Sequence, residues 1–362
     1  MSWLRKKFFK YSLIAVVITY TALFINIKYG LKYNKQFSSN GEKTNRVSAN
    51  VIKSNENKNF QVVSDGAFFT PCFNFEGNKL LYSSGDEIYE MDLIKKDTRQ
   101  LTVIGNCYNP VYNEKDNNVI AFARNNGIFI MDIKKKDTRK LVGSNNPETS
   151  FAKPNFTPEG DIIYFSVTVS PREDGHGFIE TNPSIYKISK DGKINEKIID
   201  GYNPVLSKDG NSLLYESGEN IYLMNLKDKS SKLIDSGKYA SFSNSGRFIS
   251  YAKFERGIEK YLKSKFTKRL YIDKEFSNIF IANIDNLKNK NKITKEEFED
   301  KDYEIKNWAN DIKESTAEQH FLLVSKFAYF DSVWSKNDDE LYISIYDGDK
   351  GEFRLIKYDV NN

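Results

Sequence analysis

The sequence predicts an all-β protein: a six-bladed β-propeller closed by an N-terminal strand and preceded by one transmembrane helix. Three observations carry this. A unit of alternating apolar and polar residues recurs six times between residues 71 and 362, each copy punctuated by Gly, Asn or Asp turns. Val, Ile and the 51 aromatic residues, drawn from 22 Tyr, 26 Phe and 3 Trp, favour strands. An uncharged apolar run near the N-terminus, residues 11–27, stands apart from everything after it.

The N-terminus comes first in the chain. Residues 11–27 read YSLIAVVITYTALFINI, behind a basic segment that contains Arg5, Lys6, Lys7 and Lys10. With Phe8 and Phe9 the stretch is long enough to cross a hydrocarbon core of about 30 Å. No small-x-small cleavage site and no cysteine follows it, so the expected form is an uncleaved signal anchor after a basic tail at residues 1–10. The stretch is apolar all round, which a helix on the surface of a globular domain is not. Residues 28–59, rich in Lys, Asn and Ser, read as a flexible tether with a reach of roughly 30 Å. A short basic tail before the span and a long chain after it is the usual arrangement of an exported domain. The expected location is therefore the cytoplasmic membrane, single-pass, with residues 60–362 on the extracytoplasmic side.

The repeat then sets the architecture. MDLIKKDTRQL (91–101) and MDIKKKDTRKL (131–141) align without gaps at an offset of 40 and agree at eight of eleven positions. The unit around them opens as PCFNFEGNKLLYSS at 71, PVYNEKDNNVIAFAR at 110, PNFTPEGDIIYFSV at 154, PVLSKDGNSLLYES at 204, ASFSNSGRFISYAK at 240 and SVWSKNDDELYISI at 332. Its third strand reads IYEMDL, IFIMDI, IYKISK, IYLMNL, IFIANI and FRLIKY. Such a sheet is apolar on both faces, so copies must stack against one another. Fourth strands follow at 99–105, 139–144, 197–201 and 232–237, whereas the sixth unit reaches Asn362 without one. FQVVSDG (60–66) has the fourth-strand pattern and no unit of its own, so it is expected to complete the last blade and remove the sheet edges.

The P-x-F-S-x-D-G-x-x-L-x-Y pattern, followed by I-Y-x-M-D-L, resembles the repeat of TolB-type β-propellers, and related repeats occur in prolyl-oligopeptidase-family propellers. The resemblance spans about 300 residues through six copies and implies the fold. The family namesake is a periplasmic protein with an α/β domain before its propeller; here a span and a tether occupy that place. No G-x-S-x-G motif follows the repeats, so the peptidase nucleophile has no counterpart.

Composition narrows the chemistry. The net charge of +5, from 54 basic and 49 acidic residues, is too balanced for a nucleic-acid binder. Two cysteines and two histidines show no zinc-ligand spacing, and no metal or cofactor is implied. Cys72 and Cys107 lie near the starts of adjacent first strands, either as a disulfide or as two free core thiols.

Function is expected where the repeat is interrupted. Unit starts lie 39, 44, 50, 36 and 92 residues apart, and the excess falls at 168–183, 254–276 and 295–331. In an up-and-down blade the loops after the second and fourth strands leave from the same end, so all three insertions decorate one face. The insertion at 254–276 holds seven basic and four acidic residues interleaved with aromatics. That at 295–318 holds nine acidic and four basic, with Ile305, Trp308, Ala309 and Ile312 at helical spacing. The third contains SPREDGHGF, where Glu173 or Asp174 could act as acid or base beside His176. The expected contact surface is Arg172, His176, Tyr261, Lys263, Lys265, Lys268, Arg269 and Tyr271, presented to a protein or an envelope polysaccharide. Two functions fit: a non-catalytic binding or scaffolding module, or a carbohydrate-active lyase or hydrolase with carboxylates at the channel mouth.

Overall fold

The computed structural model describes residues 60–360 except 125, 173–177, 260–269, 295–318, 325–326 and 348–349, without side chains at 255–276 and 319–326. The expected span at 11–27, the tether and the helix at 305–312 lie outside the described residues. Among the described residues no helix is long and apolar enough to cross a membrane.

The chain enters on β1 (Phe60–Asp65) and then builds blades in order. Blade one is β2 (Phe69–Phe73), β3 (Lys79–Ser84), β4 (Glu87–Asp92) and β5 (Asp97–Gln100); blade two is β6 (Cys107–Asn113), β7 (Asp116–Arg124), β8 (Gly127–Asp132) and β9 (Asp137–Gly143). Blade three comprises β10 (Thr149–Phe156), β11 (Ile162–Pro171), β12 (Phe178–Ile188) and β13 (Asn195–Asp200). Blade four comprises β14 (Tyr202–Leu206), β15 (Ser212–Ser217), β16 (Asn220–Asn225) and β17 (Ser231–Ser236). Blade five is β18 (Lys238–Phe242), β19 (Phe248–Glu259), β20 (Leu270–Asn283) and the short β21 (Lys290–Lys292), with β22 (Gln319–Val324) parallel to β20. Blade six is β23 (Phe327–Trp334), β24 (Glu340–Asp347) and β25 (Glu352–Asp359), and β1 pairs antiparallel with β25 as its fourth strand. The innermost strands touch in a closed circuit from β2 through β6, β10, β14, β18 and β23 back to β2.

Each sheet is apolar on both faces because both faces are covered. The core divides into six clusters, one between each pair of neighbouring blades. Leu80 packs toward blade six and its neighbour Leu81 toward blade two, both fully buried. A cross-strand aromatic stack recurs in five blades, as Tyr82–Tyr89, Phe122–Phe129, Tyr164–Tyr186, Tyr215–Tyr222 and Tyr251–Phe280, with centroids 5.4–5.9 Å apart.

The polar residue after the inner strand caps the first turn. Asn74 Oδ1 accepts from the backbone N–H of Asn78 and Lys79 at 3.0 and 2.9 Å. Ser207, Ser243 and Ser335 Oγ accept from the N–H of Ser212, Phe248 and Glu340 at 2.9, 3.2 and 3.0 Å. Gly77, Gly160, Gly210 and Gly246 take φ of +71 to +91° in these turns, a conformation other residues resist.

The first strand is fastened on the inside and at its end. Phe60 meets Phe327 edge-on at 5.6 Å, and Arg354 Nε pairs with Asp65 at 2.8 Å while its Nη1 reaches buried Asp347 at 3.3 Å. Several boundaries differ from the sequence reading. Blade six begins at Phe327 rather than Ser332, and the outer strand of blade one is Asp97–Gln100 rather than 99–105. Its register is carried one step further by Leu101 N–H donating to the Ile88 carbonyl at 2.8 Å.

Candidate functional site

The inner strands hold a ring of equivalent residues directly before the repeat's proline position: Thr70, Asn109, Lys153, Asn203, Tyr239 and Asp331. The ladder to the second strand shifts register there in all six blades. Five of the six residues take φ between 48 and 58°, none of them glycine. A side chain in this left-handed region costs of order 1 kcal/mol, and it persists only where the surroundings over-determine it. Here the bulges bring Lys153 and Asp331 within reach of each other across the axis, while Tyr239 packs between blades five and six.

What they do there is bond to one another. Lys153 Nζ reaches Asp331 Oδ1 at 2.8 Å, from blade three to the opposite blade six. The two are 16% and 8% exposed, so this is a nearly buried ion pair spanning the channel. Asp331 Oδ2 also accepts from Thr70 N–H at 3.3 Å, and Asn109 Oδ1 accepts from Lys153 N–H at 3.2 Å. Buried Glu216, at the end of β15, accepts from Tyr239 N–H at 2.8 Å and from Asn203 Nδ2 at 3.0 Å.

Two carboxyls at this end are held above the ordinary range. Burial pushes Glu216 up against its two hydrogen bonds and the charges of Lys238 and Lys153. Burial likewise raises Glu180, on the outer half of β12, with Lys238 opposing; Tyr202 is raised by burial and by Glu180 beside it. Glu180, Glu216, Tyr202 and Lys238 thus form one electrostatic group at the mouth of the ring.

Topology gives this mouth its surroundings. β11 and β12 run 10 and 11 residues and β19 and β20 run 12 and 14, against six for β15 and β16. These hairpins join second to third strands, and β22 enters between fourth and first, so both connections leave from the end where the inner strands begin. The ring residues also lie near those beginnings, Thr70 and Asn203 each being second in its strand. Beyond Lys253 the blade-five hairpin continues for six residues of β19, a projection of about 20 Å.

Of the eight residues expected at this face, Arg172 is exposed just after β11. Tyr271 lies in β20, opposite His320 of β22 in parallel register. His176, Tyr261, Lys263, Lys265, Lys268 and Arg269 lie outside the described residues, as do Glu173 and Asp174. The axial ring was not anticipated. Its signal is in the repeat alignment, where Thr, Asn, Lys and Asn precede the proline and one Lys and one Asp stand among neutral residues.

Cys72 and Cys107 are free thiols packed in the cluster between blades one and two, each pushed up to about 11 by burial. Such thiols are protonated at neutral pH and poor nucleophiles. Among the described residues no three His, Cys, Asp or Glu side chains are grouped to hold a metal ion.

The sequence matches no protein-family model and no curated protein. Solved structures do resemble it. A TolB of Agrobacterium tumefaciens is 15% identical over 63% of this chain and 80% of its own, with a TM-score of 0.46. The calcium-binding protein regucalcin from Agrobacterium tumefaciens is 11% identical over 83% of this chain and 94% of its own, at 0.53. A gluconolactonase of Xanthomonas campestris is 12% identical over 83% and 89%, at 0.52. At these identities what the chain shares with the latter two is the fold, which in this chain is a six-bladed β-propeller.

Proposed function

We propose that this chain is a binding module: a propeller held outside the cytoplasmic membrane by residues 11–27 and the tether 28–59, presenting its decorated end to a protein or an envelope polymer. One observation supports this above the others. The lengthened hairpins of blades three and five leave from the same end as the axial ring, and the ring's own polar groups bond to one another across the axis. The axis is thereby a rigid support and the projections are the contact surface, with Arg172, His176, Tyr261, Lys263, Lys265, Lys268, Arg269 and Tyr271 as its members. Aromatic side chains supply most of the binding energy in such a surface, while rim charges set association rate and salt dependence. The test is capture from solubilised envelopes with immobilised full-length chain. Tyr271→Ala should lose the captured partner more than Lys265→Ala does, and added salt should slow capture. Retention equal to wild type in both variants overturns the reading.

A second reading has its own support in Glu180 and Glu216, whose carboxyls burial holds above the ordinary range with Lys238 opposing, as proton donors at neutral pH need. It makes the chain a carbohydrate-active enzyme at the same mouth. Release of new reducing or unsaturated ends from an envelope polysaccharide, lost in Glu180→Gln, would favour it over the binding module.

A further inference from the structure

The opposite end of the propeller carries a second ring. The residue after each turn cap is Phe75, Glu114, Pro158, Lys208, Asn244 or Lys336, one per blade. These turns are short, and three of their residues meet. Lys208 Nζ lies 5.5 Å from the centroid of the Phe75 ring and Lys336 Nζ lies 5.1 Å from it. Blades one and four face each other across the axis, so Phe75 and Lys208 come together over the axis itself. Phe75 is 50% exposed, although the equivalent positions are polar or proline.

The arrangement is held from below. Phe75 N–H donates to Asn117 Oδ1 of blade two at 3.2 Å, and the Glu76 carboxylate accepts from Asn74 and Asn117 Nδ2 at 2.7 and 2.5 Å. A Cβ at Gly77 would stand 3.0 Å from Lys336 Cβ, so the turns of blades one and six touch and direct Lys336 over the ring. Of the nearby carboxylates, Glu114 of the same ring acts on Lys208 through its charge, and two others are engaged elsewhere. Glu76 is taken by the asparagines, and Asp338 accepts from the N–H groups of Asn244 and Ser245 at 2.5 and 2.9 Å. Lys208 donates only a long bond to Asn244 Oδ1, 3.5 Å, and neither lysine belongs to an ion pair among the described residues.

Two ammonium groups around one half-exposed phenyl ring, against the single carboxylate of Glu114, leave a net positive charge that defines a ligand by complementarity. An anion beside the ring, within reach of both ammonium groups, gains charge-assisted hydrogen bonds from them. The ring adds an apolar surface that gains from being covered by a flat C–H face. A bare anion satisfies the first demand and a neutral sugar the second. A carboxylate borne on a compact, C–H-faced ring satisfies both. We propose that this end of the axis binds a uronic-acid residue, its carboxylate between Lys208 and Lys336 and one C–H face on Phe75.

The site is independent of the decorated end, and its test uses the full-length chain in detergent micelles with D-glucuronate as probe. Saturation-transfer NMR should label the sugar's ring protons. The transfer should vanish in Phe75→Ala, fall at least tenfold in apparent affinity in Lys208→Gln/Lys336→Gln, and stay unchanged in Tyr271→Ala. D-glucose should give no transfer. Phe75, Lys208 and Lys336 are exposed, and wild-type melting curves verify the fold of each variant. Undiminished transfer in the lysine variant, or in Phe75→Ala with inorganic phosphate displacing the sugar at equal concentration, overturns the proposal; the latter outcome denotes a bare anion site.

Discussion

The Lys153–Asp331 pair allows a measurement of what crosses the axis. Asp331→Ala removes the partner of an ammonium that is only 16% exposed, together with the acceptor for Thr70 N–H. At 2.8 Å the attraction is about 6 kcal/mol for an effective dielectric of 20, before desolvation is subtracted. Removing one member of such a pair leaves the other charge poorly solvated, and about 3 kcal/mol is the expected loss. Replacing both by apolar residues of similar size, Lys153→Met with Asp331→Leu, removes the attraction and the desolvation cost together and should cost about 1 kcal/mol or less. For a domain this large each kcal/mol moves the melting midpoint by about 2 °C, so the single variant should melt about 6 °C lower and the double about 2 °C lower. The assay is a double-mutant cycle by thermal melting and urea titration, with Lys153→Met and Asp331→Leu as its single corners and Asp331→Ala measured beside it. If the two single effects simply add up in the double variant, or if Asp331→Ala melts within 1 °C of wild type, the claim that the pair holds opposite blades is refuted.

Other expectations follow from the same geometry. Glu216 is raised by burial, so the folded chain holds its proton at pH values where the unfolded chain has lost it, and this contribution falls as pH rises from the ordinary carboxyl value through the folded one. Glu216→Gln should therefore gain on wild type in melting temperature as pH rises above the ordinary carboxyl value, and a widening deficit with pH would contradict this. Glu90 has the opposite sign: burial alone would raise it, but the hydrogen bonds from Arg99 and Lys79 hold it low, so its contribution is present at neutral pH and is lost as pH falls through the folded value. Glu90→Gln should lower the midpoint at pH 7, and the difference should shrink as pH falls below the ordinary carboxyl range, read by the same melts. Removal of residues 1–59 should leave a soluble propeller, whereas removal of 1–68 takes away β1 and uncovers β25; equal stability of the two truncations by calorimetry would argue against any role for that strand. Full-length chain should remain with membranes through a high-salt wash, and a soluble form beginning after residue 30 would contradict the anchor at 11–27.

The parts of the fold visible in the sequence are those that each blade decides locally. A turn cap three residues past the proline, a glycine in the turn and an aromatic facing another across two strands all act within one unit. Each unit therefore announces itself by period and punctuation. The weak points are equally physical. β21 reads KNK, without apolar alternation, and β5 is exposed along its whole length, so neither outer strand marks its own limits. β22 pairs parallel with β20 across a long connection, and nothing in the six residues QHFLLV states which neighbour they will take. The cysteines could be narrowed only to two alternatives, because adjacency of first strands leaves the orientation of each thiol open; packed in the cluster between blades one and two, they are free.

The axial residues were harder to see for a different reason. Lys153 and Asp331 are 178 residues apart, and neither departs from what a strand tolerates. Only the superposition of the six units puts them at one height in one ring, and only there do a lysine and an aspartate among four neutral residues become a bond across the channel. The same superposition puts Phe75, Lys208 and Lys336 together at the other end. A repeat protein uses its repeated positions to build the scaffold, so positions that are equivalent in the backbone but different in chemistry are where one copy can do what the others do not. In this chain the two ends differ in kind. At the decorated end the odd residues satisfy one another and stiffen the axis beneath the projecting hairpins. At the plain end the odd residues are two cations, the single carboxylate of Glu114 and a half-exposed ring, with Glu76 and Asp338 engaged by asparagines and backbone amides, so one positive charge is left for a partner from outside the chain.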